Sequence, residues 1–248
     1  DLIVSRGLGD VYKRQFTLPS VQERNLMILD NGHAPVVGER YFHFDKELFD
    51  LCPDHISLNG FFQTEKYFKH IEDEIRKEFT FHEDILEPCR EMVDSLDSAP
   101  IFLHVRRGDP NLVDPRGFKW SYTECSDQHP PQPLEYYEKA LELFPEDVPV
   151  VVCSDSPEWV QEQEIFKPDR FAISIPEDKY DDGSYEPFID LCLMSLCSGA
   201  IIANSTMSWW GAWLQGGRGK VVAPKMWFGP AYPNNDTKDL YPEGWTLL

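Results

Sequence analysis

The sequence predicts an α/β protein built on a doubly wound parallel sheet, and three observations carry that prediction. From residue 99 onward short apolar runs recur, each followed by a stretch of helical periodicity. The runs are apolar throughout instead of alternating, as strands covered on both faces must be. Paired arginines, a carboxylate between serines and a cluster of hydroxyls stand just behind these runs, at the strand ends where such sheets bind ligands.

The elements follow in order. Before residue 99 the pattern is mixed. Residues 64–79 read as a helix with Phe68, Ile71, Ile75 and Phe79 on one face, and residues 83–96 as a second with Leu86, Cys89, Val93 and Leu96 together. Pro88 is tolerated there because it lies near the first turn. Residues 101–105 form the first strand of the sheet. Residues 133–144 form a helix opened by Pro133, and 148–153 a strand of valines. Ser156 caps a helix that starts at Pro157, and 171–175 is a strand. Residues 186–198 are a helix stopped by Gly199, 200–203 a strand, 205–214 a helix and 220–223 a last strand.

The bulk composition narrows the function. A chain of 248 residues holds one large domain or two modest ones. A net charge of -20 repels polyphosphate backbones, which excludes nucleic acid as a partner and requires that cations for any anionic ligand be placed locally. No run of 18 apolar residues occurs; the nearest, from Phe188 to Ala203, is interrupted by Asp190. The six cysteines form no CxxC pair and read as reduced, core-filling thiols. No Cys or His cluster has zinc-ligand spacing, so no metal is expected. Residues 1–15, DLIVSRGLGDVYKRQ, resemble the translated read-through of a sequencing adaptor and are set aside, with the natural chain expected to begin upstream of Phe16.

Three strand ends carry the candidate chemistry. Behind the first strand stands His104-Val105-Arg106-Arg107-Gly108-Asp109. Adjacent guanidiniums repel unless an anion or a carboxylate pairs with one, and arginine suits bidentate phosphate contacts. A salt-bridged turn is the bland alternative; Arg107-Gly108-Asp109 also spells an adhesion tripeptide, which would need an exposed loop tip. Behind the valine strand comes Ser154-Asp155-Ser156, where the carboxylate reads equally as an acceptor for a base or ribose and as a helix cap. Behind the fourth strand, Asn204-Ser205-Thr206-Met207-Ser208-Trp209-Trp210-Gly211-Ala212-Trp213 crowds hydroxyls onto a helix start, which offers amides and a positive dipole end to phosphate. At least two of the three tryptophans read as packing. Asn204-Ser205-Thr206 and Asn235-Asp236-Thr237 match a glycosylation sequon.

Together, His104-x-Arg106-Arg107-Gly108-Asp109, the strand ending in Ser154-Asp155, Asp190-Leu191-x-x-Met194-Ser195-x-Cys197 and Ile202-Ala203-Asn204-Ser205-Thr206-x-Ser208-Trp209-Trp210-Gly211-Ala212 resemble the α-1,2-fucosyltransferases of glycosyltransferase family 11 in order and spacing. Residues 60–68 resemble the family's stretch ahead of the donor domain, so the likeness runs from about Asn59 to the C-terminus.

The resemblance implies a GT-B-like glycosyltransferase. Residues 99–248 would be the Rossmann-like GDP-fucose-binding domain and 16–98 an incomplete N-terminal, acceptor-side domain. It implies inverting, metal-independent transfer of L-fucose from GDP-β-L-fucose to the 2-hydroxyl of a galactose-terminated glycan, with no cofactor. By position Arg107 would hold the donor diphosphate, Arg106 brace the loop, Asp155 face the guanosine, and Asn204, Ser205, Thr206 and Ser208 line the phosphates. Asp109 and His104 are the candidate catalytic residues, with Glu124 and Asp127 as further carboxylates for the base. The family includes soluble and membrane-anchored forms, which leaves a cytoplasmic location and peripheral membrane association both open.

The chain departs from the family pattern in three places. Pro110 follows Asp109 where an aromatic is usual, ahead of a Pro-rich insert (residues 111–133). Ser156 replaces a second Asp, and the Gly-rich opening strand has no counterpart. Two other readings compete: a non-catalytic nucleotide-sugar-binding domain, and a related fucosyltransferase of different linkage.

Overall fold

The computed structural model describes residues 16–19, 35–108, 123, 125–175 and 187–248. Asp109, Pro110, Glu124, most of the insert and residues 1–15 lie outside the described residues. The chain divides into two compact units, Asp1–Glu83 with Asn234–Glu243, and Asp84–Pro233 with Gly244–Leu248.

In the first unit, β1 (Val36–Gly38) and β2 (Ser57–Asn59) pair in parallel, α1 spans Lys46–Leu51 and α2 spans Glu72–Glu78. Asp45 caps α1 and is gripped by Arg40, whose guanidinium holds that carboxyl well below the usual range. Phe44, Phe49 and Phe62 pack around the Tyr67 ring. The helix expected over 64–79 is broken: two 3-10 turns, Glu65–Tyr67 and Lys69–Ile71, precede α2. Phe68 (ψ 0°) and Ile71 (ψ 33°) leave helical geometry at the two junctions. A 3-10 turn also puts residues i and i+3 on one face, so the apolar spacing survives the break.

The second unit is the predicted doubly wound sheet. Its elements are α3 (Glu83–Asp94), β3 (Ile101–Val105), α4 (Leu134–Leu141), β4 (Val150–Ser154), α5 (Pro157–Glu162), β5 (Phe171–Ile173), α6 (Pro187–Leu196), β6 (Ala200–Ile201), α7 (Thr206–Leu214), β7 (Val221–Ala223) and β8 (Thr246–Leu247). Six strands run in the order β5-β4-β3-β6-β7-β8, all parallel. Every residue of β3 and β4 is buried, as continuous apolar runs require. Leu103, Val105, Val150 and Val152 pack with Tyr137 and Ala140 of α4 and Val160 of α5. The Tyr136 hydroxyl donates across the sheet to the Ile202 carbonyl at 2.7 Å.

Gly199 does not stop α6 through a left-handed cap. Its φ is not positive; a Cβ there would sit 3.0 Å from the Lys220 carbonyl and 3.1 Å from Ile101, so close packing is what requires glycine. Four thiols, Cys89, Cys153, Cys192 and Cys197, are buried and unbridged. Trp209 and Trp213 are buried, stacked at 6.5 Å and joined by Trp245 at 5.7 Å from Trp209, which settles them as packing. Among the described residues no helix is long and apolar enough to cross a membrane.

Candidate functional site

The sheet order reverses at β3. The chain first builds outward to β4 and β5, then returns to the other side of β3 to lay down β6, β7 and β8. Adjacent crossovers leave a crevice beyond the carboxyl ends of β3 and β6, where nucleotides bind in sheets of this order. The register Leu103↔Ile201 places the Arg106-Arg107 segment and the Asn204-Ser205-Thr206 segment on neighbouring strand ends at that edge. The third candidate segment, Ser154-Asp155-Ser156, leaves β4 on the other side of β3.

Asp155 organises the segment behind β3. Its two carboxylate oxygens accept from the Arg107 amide at 3.0 Å and the Gly108 amide at 2.7 Å, and Arg106 pairs with it at 2.8 Å. Ser156 Oγ donates to the Gly108 carbonyl at 3.2 Å. The turn needs glycine, because Gly108 holds φ at +76°. Gly108 is buried, which removes the adhesion-tripeptide reading. With Asp155 occupied by Arg106, the adjacent guanidinium is left for another partner. Arg107 lies over the Trp159 ring, 4.0 Å from its centroid, and has no carboxylate within ion-pair distance among the described residues. Stacking of this kind restrains a guanidinium without using its N–H donors.

Four residues at the other strand end have separate tasks. Asn204, 2% exposed, donates to the Pro130 carbonyl at 3.0 Å and the Trp227 carbonyl at 3.1 Å, and its Oδ1 accepts from Gln132 at 3.1 Å. That latch leaves its amide donors committed, and its burial removes it as a glycosylation acceptor. Ser208 is fully buried and donates back to the Ser205 and Ala203 carbonyls. Asn204 and Ser208 therefore hold the helix start in place. Ser205 is the N-cap residue of α7, yet its side chain makes no capping hydrogen bond. Thr206 is exposed in the first turn. The amides of that turn face outward from the helix end with the positive pole of its dipole behind them.

His104 is the penultimate residue of β3, 3% exposed, with Nδ1 buried and without a hydrogen-bond partner among the described residues. Burial, reinforced by Arg106, pushes its pKa down to about 3, so it is neutral at physiological pH. Two residues escaped the sequence reading as site candidates. Asp190 on α6 is 7% exposed and accepts from Ser174 Oγ at 2.6 Å; burial raises its pKa to about 6. It was legible only as part of a longer motif. His129 is half-buried beside Phe228 and Tyr232, and burial together with Arg106 lowers its pKa. It stood unremarked inside the insert. Among the described residues no three His, Cys, Asp or Glu side chains cluster to hold a metal ion.

A parallel 3-2-1-4-5-6 sheet with a guanidinium and a helix start at its switch point defines a doubly wound α/β domain. The chain belongs to glycosyl transferase family 11, whose profile matches residues 20–248. It is 32% identical over 201 residues to the O-antigen biosynthesis glycosyltransferase WbnK of Escherichia coli, covering 77% of this chain and 60% of that protein. It is 28% identical to an alpha-1,2-colitosyltransferase of Escherichia coli, over 83% of this chain and 67% of the relative. With the galactoside alpha-(1,2)-fucosyltransferase 1 of Homo sapiens it shares 27% identity over 69% of this chain and 46% of the relative. The chain thus spans about half to two thirds of the length of these relatives. Among solved structures, the NodZ alpha-1,6-fucosyltransferase soaked with GDP-fucose aligns at 15% identity and a TM-score of 0.41, over 66% of this chain and 54% of that one.

Proposed function

We propose that this chain is the donor-binding part of an inverting transferase that moves L-fucose from GDP-β-L-fucose to the 2-hydroxyl of a terminal galactoside. One observation carries the reading: at the switch point of the sheet, Asp155 engages Arg106, and Arg107 is restrained over Trp159 with no carboxylate in ion-pair distance among the described residues. Family membership and the α-1,2 linkage in the names of two relatives support it.

The mechanism follows from charge. As the bond to the sugar breaks, negative charge grows on the β-phosphate of the departing GDP. Arg107 would meet that charge from one strand end, and the first-turn amides of α7 from the next. Both would be fixed before the reaction, so little reorganisation would be needed when the charge develops. The neutral, buried His104 adds no competing charge beneath them. In this reading Asp155 and Arg106 brace the loop, and Ser205 and Thr206 border the phosphates.

The colitosyltransferase relative favours one second reading, in which another deoxyhexose is transferred with the same linkage. A transfer assay separates the two. The full chain is incubated with GDP-fucose or a second GDP-deoxyhexose and a panel of β-galactosides, and products are sized by mass spectrometry and mapped by NMR. Fucose on the galactose 2-position is the expected product. Transfer from the other donor alone selects the second reading, and a chain that binds no GDP by calorimetry refutes both.

A further inference from the structure

Residues 125–132, ahead of α4, fasten to Asn204 behind β6 and carry His129. Their turn closes with the Gln128 and His129 amides both donating to the Cys125 carbonyl, at 2.9 and 2.8 Å. A second segment, residues 226–232, fastens to it. The Gly229 amide donates to the Gln128 carbonyl at 2.8 Å and the Ala231 amide to the Asp127 carbonyl at 2.7 Å. A Cβ on Gly229 would stand 2.5 Å from the Asp127 carbonyl oxygen, so only glycine allows this approach. Gln132 and the Pro130 carbonyl then bind Asn204, and Gln132 also donates to the Met226 carbonyl at 3.2 Å. Both segments are thereby fixed to the residue that leads into α7.

On this zipped pair of segments three rings converge. The His129 imidazole lies 5.6 Å from Phe228 and 5.7 Å from Tyr232, and those two rings are 5.5 Å apart. Tyr232 is 39% exposed, so the group is open on one side. Aromatic faces beside a polar ring nitrogen suit the C–H face of a pyranose with its hydroxyls at the rim. Half-burial, and after it the nearby Arg106 charge, also lower the pKa of the imidazole, which favours the form that accepts a proton.

We propose that His129, held between Phe228 and Tyr232, contacts the acceptor galactoside and takes the proton from its attacking hydroxyl, an inference that rests on the fucosyl-transfer reading. In the step, the acceptor oxygen bonds to the anomeric carbon of the donor. The bond from that carbon to the β-phosphate oxygen breaks, its electron pair leaves with GDP, and the acceptor proton passes to an imidazole nitrogen. Asp109, the sequence's first candidate for this proton, is the direct competitor.

The experiment compares wild type, His129→Gln, His129→Ala and Asp109→Asn in the full chain, measuring GDP affinity by calorimetry and turnover with methyl β-galactoside. His129→Gln should keep GDP affinity within about twofold while turnover falls about 100-fold or more. Added imidazole should restore turnover to His129→Ala and not to Asp109→Asn. A His129→Gln chain that turns over within about fivefold of wild type overturns the proposal. NMR of the wild-type imidazole gives a reading that needs neither variant folding nor transfer. The His129 resonance should shift on adding methyl β-galactoside to the GDP-loaded chain, and an unmoved resonance rejects the contact. Wild type that binds no GDP fails at the donor reading instead, and takes this inference with it.

Discussion

Replacing Asp155 by alanine tests whether this carboxylate positions the loop or touches the nucleoside. The substitution removes three interactions: the bonds from the Arg107 and Gly108 amides and the ion pair with Arg106. A fully desolvated bond to a charged group contributes about 1.5–3 kcal/mol. The Asp155 side chain is 20% exposed and the freed amides regain water, so about 1 kcal/mol each is the reasonable figure. A loop loosened by ~2–3 kcal/mol would lower ligand affinity roughly 30- to 150-fold. The assay is calorimetry with two ligands, GDP and inorganic pyrophosphate. If Asp155 acts through the loop, both ligands weaken by the same factor, because both depend on the placement of Arg107. If Asp155 contacts guanosine or ribose, GDP weakens and pyrophosphate does not. That second outcome, or no change in either, refutes the bracing argument.

Three further outcomes are expected. Arg107→Ala should cut GDP affinity by about 100-fold, the cost of about 3 kcal/mol for losing a charge-assisted phosphate contact, whereas Trp159→Ala should cost about two- to fivefold; both are read by calorimetry. Asp190 has a folded-state pKa raised by burial to about 6, above the ordinary 3.8, so the native state binds more protons across that window. Its contribution to stability must therefore fall as pH rises from about 4 to about 6, and denaturant midpoints of Asp190→Asn relative to wild type should rise over that range. Gly211→Ala would place a Cβ 2.6 Å from that of Met194, where α7 meets α6. Overpacking there should cost about 1–3 kcal/mol, measured as a lower urea midpoint at unchanged slope.

The strands of the second unit were legible because continuous apolar runs have few alternatives at that length. Residues 101–105 are strand at both ends as read. β8 was not legible: Thr246–Leu247 is two residues long and exists through pairing with β7, which no local pattern encodes. The burial of His104 was not legible from its polarity: both faces of β3 are covered, so His104 is buried whichever way it points. The two arginines were legible as a pair, but their division of labour was not. It depends on Asp155, nearly fifty residues downstream, arriving on the neighbouring strand. Hydroxyl content likewise overstated the helix tip, because Ser208 spends its hydroxyl on carbonyls one turn back. His129 carries no local signal at all, since its surroundings come from residues 226–232.

A crystal structure of the full chain soaked with GDP bears most directly on the central claim. The account predicts diphosphate density beyond the ends of β3 and β6, with the Arg107 guanidinium on one side and the first-turn amides of α7 on the other. GDP bound at any other edge of the sheet, or bound there with Arg107 still confined to Trp159 and out of reach of phosphate, would contradict it.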